Sequence, residues 1–453
     1  MSFRKDFLWG VATASYQIEG APDADGKGPS VWDRFSHEPG KIYQGHTGDV
    51  ACDHYHRFPE DVKLMADLGI RNYRFSLSWP RLLPEGCGAV NHPGIDFYNR
   101  LIDLLLEYGI RPLVTLFHWD YPSALQAKGA WENPDSAKWF ADYAALCARS
   151  FGDRVKDFIT FNEPQCFIGL GYDSGVHAPG LQLPVSSTVP MSHHVLLAHG
   201  MAVQRLREFS PGCRVGYAPC GNPCIPASAS PADVAAARRA YFAMPKNPRG
   251  WSWTVSWWSD PVLLGSYPED GLSILSGYLP KGWEQDLPVI CQPLDFYGQN
   301  IYNGRIIQAA DNQDGFQELP FPEGHPKTAI QWTITPEALY WGPKFLYERY
   351  HTPIIITENG MSCHDAPSLD GKVHDPNRQD YMHRYLLSYK RAAEEGVDAR
   401  GYFAWSLMDN YEWSYGYSER FGLVYVDYQT QRRIPKDSAL WYKRVMETNG
   451  EEL

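Results

Sequence analysis

The stretch Pro353-Ile354-Ile355-Ile356-Thr357-Glu358-Asn359-Gly360 decides how the rest of the chain is read. Its Ile-Ile-Ile-Thr run is β-branched throughout and reads as a short strand buried on both faces, as in a parallel sheet. Such a strand ends in a loop, so Glu358 is carried to the rim where that loop begins. Asn359-Gly360 then turns the chain, a place for glycine's tolerance of positive φ. Alone, the segment is an acidic residue beside a turn. A second stretch of the same design changes its meaning. Ile159-Thr160-Phe161-Asn162-Glu163-Pro164 also sets a glutamate at the end of an apolar strand, with Pro164 closing the strand behind it.

Working outward, strands are expected over 7–14, 72–77, 111–117, 157–161, 214–218, 294–297, 353–357 and 401–405. Helical periodicity lies between them, over 60–68, 95–108, 137–151, 192–209, 336–350, 380–396 and 438–449. Eight strands alternating with helices, without a break in composition, read as one (β/α)₈ barrel spanning 1–453. The excess length falls in long loops after strands. A two-domain doubly wound sheet is the alternative. Against it, no Gly-x-Gly-x-x-Gly follows a strand and no P-loop occurs.

The bulk composition excludes several classes of function. Net charge is −12 without a run of like charge, which argues against nucleic acid or an anionic membrane as partner. No stretch approaches the ~18 consecutive apolar residues of a membrane span. Residues 1–10 carry Arg4, Lys5 and Asp6 without an apolar core, so a cytoplasmic protein is expected. The 9 cysteines are scattered and read as reduced thiols. Cys220 and Cys224 are the one close pair, and no second pair completes a metal site. His193, His194 and His199 share no helical face, and His54 and His56 lack a completing ligand, so neither metal nor cofactor is expected. The 16 Trp and 28 Tyr suit clefts that hold sugars by their apolar faces. The four tryptophans within 251–258 read either as a binding surface or as packing of a long loop.

Polar and aromatic residues collect just after the strands: Gln17, His118, Trp119, Asn162, Glu163, Asn300, Tyr302, Glu358, Trp405, Glu412 and Trp413. Arg74 lies within its strand, where it can point into the barrel mouth. In a barrel these strand ends meet at one face, where barrel enzymes keep their sites. Two carboxylates in an aromatic cleft suggest glycoside hydrolysis, in which one protonates the leaving oxygen and the other meets positive charge at the anomeric carbon. A gap of ~5–5.5 Å gives direct displacement and retention, a wider one inversion. The sequence leaves that gap open.

These residues resemble the family 1 glycoside hydrolases, of the β-glucosidase type, over nearly the whole chain. The likeness is carried by Phe7-Leu8-Trp9-Gly10 with Gln17-Ile18-Glu19-Gly20, Tyr73-Arg74-Phe75-Ser76 with Trp79-Pro80-Arg81, and His118-Trp119-Asp120. It continues through Thr160-Phe161-Asn162-Glu163-Pro164, Ile356-Thr357-Glu358-Asn359-Gly360, and Asn410-Tyr411-Glu412-Trp413 with Arg420-Phe421-Gly422. The resemblance implies Glu163 as general acid and then base, and Glu358 as nucleophile. It implies Arg74 and Tyr302 as the groups that hold Glu358 ionised and oriented. Asn162 would bond the hydroxyl beside the anomeric carbon. Gln17, His118, Trp119, Asn300, Glu412 and Trp413 would bind the other hydroxyls, Trp405 would form the sugar platform, and Phe421 would line the pocket.

Family members that cleave phosphorylated sugars lack the acid seen here as Glu412, so a neutral β-D-glucoside, galactoside or fucoside is expected, short cello-oligosaccharides included. Thioglucosidases carry Gln where Glu163 stands, which favours O-glycosides. Gln165 departs from the Trp common in bacterial members and leaves the aglycone preference open. A retaining β-glucosidase is therefore expected, acting on a small-molecule glycoside. A transglycosylase and a catalytically silent sugar-binding barrel are the alternatives. Nothing in the sequence sets the oligomeric state.

Overall fold

The computed structural model describes residues 3–453. Eight strands form the core: β1 (Leu8–Ala12), β2 (Asn72–Ser76), β3 (Arg111–Phe117), β4 (Asp157–Asn162), β5 (Arg214–Ala218), β6 (Phe296–Asn300), β7 (Ile354–Asn359) and β8 (Ala399–Trp405). Each pairs in parallel with its sequence neighbours, and β8 returns to β1, so the sheet closes. The (β/α)₈ expectation holds. β3 and β5 have the expected bounds, while β6 sits two residues later and β7 runs on to Asn359. Glu358 is thus the penultimate residue of its strand.

The pairing slips between Ile354 and Ile355 at the start of β7, and otherwise only where the two glutamates lie. The register slips between Ile159 and Asn162 where β4 meets β5. It slips again between Ile356 and Glu358 on one side of β7, and between Ile356 and Asn359 on the other. Bulges of this kind re-aim side chains at a barrel rim. Gly360 is needed for a different reason from the one expected. Its φ is not in the left-handed region. Instead, a Cβ there would overlap the Trp405 carbonyl oxygen, so glycine permits the close approach of β7 to the end of β8.

Inside the barrel is an apolar cluster separate from the outer layer. It draws Ala12, Leu113, Ile159, Ala218, Phe296, Ile355 and Phe403 from seven of the strands, with Trp405 above them. Outside, helices such as His54–Asp67, His92–Glu107, Ser136–Phe151, Ala338–Tyr350 and Pro376–Glu394 bury their apolar stripes on the strands. The helix expected at 192 begins earlier, as Val185–Phe209. Pro190, inside its second turn, hides that start from a reading by propensity. His193, His194 and His199 bond separately to Tyr267 and Asp286, the Trp131 carbonyl, and Thr160. They are packing residues.

Two elements have no counterpart in the sequence reading. Cys224–Pro226, Arg305–Ala309 and Phe316–Leu319 form a small three-stranded sheet beside the barrel mouth. After β8, Val424–Asp427 and Arg432–Pro435 form a hairpin. The loop that carries Glu412 and Trp413 is anchored by Asp409, which Lys436 Nζ approaches to 2.7 Å and Arg420 Nη1 to 2.6 Å. The tryptophans of 251–258 divide between both readings. Trp251, Trp257 and Trp258 are buried, whereas Trp253 is 49% exposed. Among the described residues no helix is long and apolar enough to cross a membrane.

Candidate active site

β7 lifts Glu358 into the mouth of the barrel, where it is buried between a cation and a hydroxyl. Arg74 Nη1 donates to its Oε1 at 2.6 Å, and Tyr302 Oη donates to its Oε2 at 2.7 Å. Arg74 is itself buried on β2 and committed on every side. Its Nη1 also donates to the Thr357 carbonyl at 2.9 Å, its Nη2 to Asn162 Oδ1 at 2.6 Å and its Nε to Thr115 Oγ1 at 3.2 Å.

β4 presents Glu163 from the facing side. Its φ of 46° places it in the left-handed region, and Pro164 then opens the short helix Pro164–Ile168. Trp119 and Trp413 share that unusual backbone at φ 79° and 47°. Three such residues around one cleft mark a site held in strained geometry by its surroundings. The partners of Glu163 are neutral: Asn300 Nδ2 donates to Oε1 at 2.7 Å and the Cys166 thiol to Oε2 at 3.1 Å.

That difference in partners sets the proton. Burial pushes Glu163 up, the Glu358 charge pushes it further, and it stands at about 7 despite Asn300, Cys166 and Arg74. Burial also raises Glu358, but Arg74, Tyr302 and Asn300 oppose it with a full positive charge and direct bonds. With one proton to share, the pair keeps it on Glu163. A protonated and an ionised carboxyl thus face one cleft.

At the deep end the polar side chains are only partly satisfied. Gln17 Nε2 donates to Asn410 Oδ1 at 3.0 Å and to the Tyr411 carbonyl at 2.8 Å. Its Oε1, His118 Nδ1 and Glu412 Oε2 are buried with no partner within the protein. Orphaned buried polar atoms are rare because each costs ~1–3 kcal/mol. Three together fit a polyhydroxylated ligand. His118 Nε2 faces Asn162 Nδ2 at 3.0 Å, which fixes the amide, and burial holds the imidazole well below its usual range, hence neutral. Burial, aided by Glu358, Glu419 and Glu163, pushes Glu412 up to about 8.

The aromatic walls complete the cleft, a space of about 950 Å³. The Trp405 ring lies nearly parallel to His118, 5.7 Å away, and Trp413 packs on Trp119 with centroids 4.5 Å apart. Trp119 serves twice, since its Nε1 donates to the Asn162 carbonyl at 3.0 Å. Phe421 does not line the open cleft as expected. It stands behind Tyr302 and Trp332, 6.1 and 5.9 Å between centroids, and braces them. Gln17, Arg74 and Asn162 are buried beneath the residues that border the open cleft and bond to them or to the loops behind. Every other sequence candidate borders the cleft, from Glu163 and Glu358 to His118, Trp119, Asn300, Tyr302, Trp405, Glu412 and Trp413.

Trp253 lines the cleft, in keeping with the binding-surface reading of its stretch, while His177, Trp332, Cys166 and Cys220 escaped the sequence reading. His177 and Trp332 come from loops far from any strand end, and the two cysteines, just past β4 and β5, read as ordinary buried thiols. Gln165 is also settled here. It is buried, with Nε2 donating to the Cys220 carbonyl at 3.0 Å and Oε1 accepting from the Cys220 amide at 3.3 Å. It offers no stacking face.

Comparison with known proteins agrees with the geometry. The profile described as "Glycosyl hydrolase family 1" matches residues 1–451. "Beta-glucosidase A" of Thermotoga maritima is 47% identical over 452 residues, covering 99% of each chain. A "Bifunctional beta-D-glucosidase/beta-D-fucosidase" of Bifidobacterium breve is 42% identical over 468 residues, covering 98% of each. The solved structure of the Thermotoga maritima enzyme in complex with glucoimidazole superposes with a TM-score of 0.91 at 46% identity, covering 99% of each chain. With a match this long and relatives of equal length, the chain belongs to glycosyl hydrolase family 1.

Proposed function

We propose that the protein is a retaining β-glucosidase whose 1–453 chain acts as a single catalytic unit. The observation that carries this is the pair Glu163 and Glu358, buried at one cleft with neutral partners on the first and a cation on the second. The Asn300 amide donates to Glu163, and a chain of bonds through Asn162 and Arg74 runs from it to Glu358. One carboxyl is thus poised to protonate a leaving oxygen and the other, ionised, to attack the anomeric carbon directly.

In the first step Glu358 attacks the anomeric carbon while Glu163 gives its proton to the departing glycosidic oxygen. The bond to the aglycone breaks and a glycosyl ester of Glu358 forms. Esterification removes the charge on Glu358, so Glu163, now ionised, takes a proton from water. That water opens the ester, and two inversions leave the β-configuration. Asn162 would bond the hydroxyl beside the anomeric carbon. Gln17, His118, Glu412 and Trp413 would take the outer hydroxyls, which the three unpartnered atoms favour. Trapping the intermediate with a dinitrophenyl 2-deoxy-2-fluoroglucoside tests the scheme. Peptide mapping should place the label on Glu358, and an α-configured first product would sink it.

The pH dependence follows from the pair. Turnover needs Glu358 ionised and Glu163 protonated, so the rate climbs as pH rises through the lower titration. It falls as pH rises through the upper one, at about 7. A pH series of kcat/KM on a nitrophenyl glucoside should show that alkaline limb.

Glu412 shapes the choice of sugar. At about 8 it carries a proton much of the time in the free cleft, so charge repulsion alone does not bar a phosphorylated sugar. Missing cations do so. Arg305 is the one Arg or Lys lining the cleft among the described residues, and it pairs with Glu318. A phosphate would enter with its charge unmatched. Neutral β-glucosides, with galactosides or fucosides as further substrates, are therefore favoured. Glu412→Ala should lower kcat/KM for a glucoside about 10- to 100-fold, the worth of one or two hydrogen bonds to hydroxyls. An unchanged ratio would remove Glu412 from sugar binding. A cytoplasmic location is consistent with the nine free thiols.

A further inference from the structure

Cys166 and Cys220 are 54 residues apart, yet their sulfurs lie 3.9 Å from each other beside Glu163. The first comes from the short helix after β4 and the second from the chain just past β5. Both border the cleft. Among the described residues, Glu163, Cys166 and Cys220 are the one group of three His, Cys, Asp or Glu whose ligand atoms all lie within 4.8 Å of one another.

The spacing distinguishes two outcomes for a thiol pair. A disulfide needs its sulfurs at about 2.05 Å, so both chains would have to close on each other. Two sulfurs at the ~2.3 Å bond length of a tetrahedral zinc stand about 3.8 Å apart. The observed gap fits the second case without movement. The carboxylate is also in reach, with Glu163 Oε2 3.1 Å from Cys166 Sγ. Cys220 cannot swing away freely, because the Gln165 amide grips its backbone from both sides and Asn300 O accepts from the next residue, Gly221. Gln165, the residue that departs from the common Trp, is therefore part of what holds the two sulfurs together.

We propose that Glu163, Cys166 and Cys220 form a binding site for a thiophilic divalent cation of the zinc and cadmium kind, with the open cleft supplying a fourth, water ligand. On binding, each thiol and the protonated Glu163 carboxyl release their protons to solvent, and two metal–sulfur bonds and one metal–oxygen bond form. No electron moves. Because the ion takes the Glu163 carboxylate, it switches off hydrolysis reversibly. That second consequence rests on Glu163 being the general acid, whereas the binding does not.

Cadmium titrated into the whole protein, kept reduced with a phosphine, tests both parts. Calorimetry should give one tight equivalent. A thiolate-to-cadmium charge-transfer band should grow with it, and nitrophenyl glucoside turnover should fall in step and return with EDTA. Cys220→Ser and Cys166→Ala, each read against its own metal-free rate, should weaken cadmium binding at least about 100-fold, since loss of even an outer-shell partner costs 10–100-fold. Zinc should compete with cadmium for the equivalent. If Cys166→Ala does not fold, Cys220→Ser, beyond the end of β5, carries the comparison. Equal affinity in wild type and variants, or binding without the band, overturns the site. A band that depends on both cysteines while the rate holds leaves the site standing and overturns the role of Glu163 instead.

Discussion

Glu358→Ala is expected to lower turnover of an aryl β-glucoside by roughly 10⁶-fold, the scale seen when a covalent nucleophile is deleted. No neighbour can replace it. Tyr302 Oη and Arg74 Nη1 both point their hydrogens at the place the carboxylate leaves; the guanidinium has no lone pair to give, and burial holds the Tyr302 hydroxyl protonated and so a poor nucleophile. The same two donors make a pocket for a small anion. Added azide should therefore restore part of the rate and give the α-glucosyl azide, a single inversion. That rescue separates lost chemistry from lost folding, which matters because Arg74 would otherwise stay buried with its charge uncompensated. Activity within about 100-fold of wild type would place the nucleophile elsewhere.

Glu163→Ala should behave differently, and the contrast identifies its role. With cellobiose, whose leaving oxygen needs a proton, kcat/KM should fall about 10²- to 10⁴-fold. With a dinitrophenyl glucoside, whose leaving group departs unaided, the first step should slow far less, and the ester should accumulate for want of a base. Azide should then yield the β-glucosyl azide, since Glu358 still supplies the first inversion. The alkaline limb at about 7 should vanish with the side chain that titrates there. A uniform loss across leaving groups would mean that Glu163 positions substrate without transferring a proton.

Most of the fold was legible because a parallel barrel strand is buried on both faces and writes itself as a short apolar run. β3 and β5 were readable to the residue for that reason. β6 was not, since Phe296-Tyr297-Gly298-Gln299-Asn300 ends in two buried polar residues that tertiary bonds, not apolar pattern, hold in place. The site was legible where a functional side chain ends a strand or directly follows it, as with Glu163, Glu358, Asn300 and Trp405. It was illegible where long loops fold back over the mouth, as with Trp332 and His177. Phe421 shows a further limit: its motif put it at the site, but only coordinates show that it stands one layer back. The cysteines make the same point in reverse. Cys220 and Cys224 are neighbours in the chain, yet the sulfur beside Cys220 belongs to Cys166.

From Glu358 the bonds pass through Arg74 to Asn162, from there to Asn300, and end at Glu163. The reacting groups are therefore the two ends of one relay, and disturbing a link in the middle displaces both ends at once. An alanine survey of Arg74, Asn162 and Asn300 will consequently overcount, each substitution claiming much of the same loss, and the sum of the three will exceed what the enzyme has to lose.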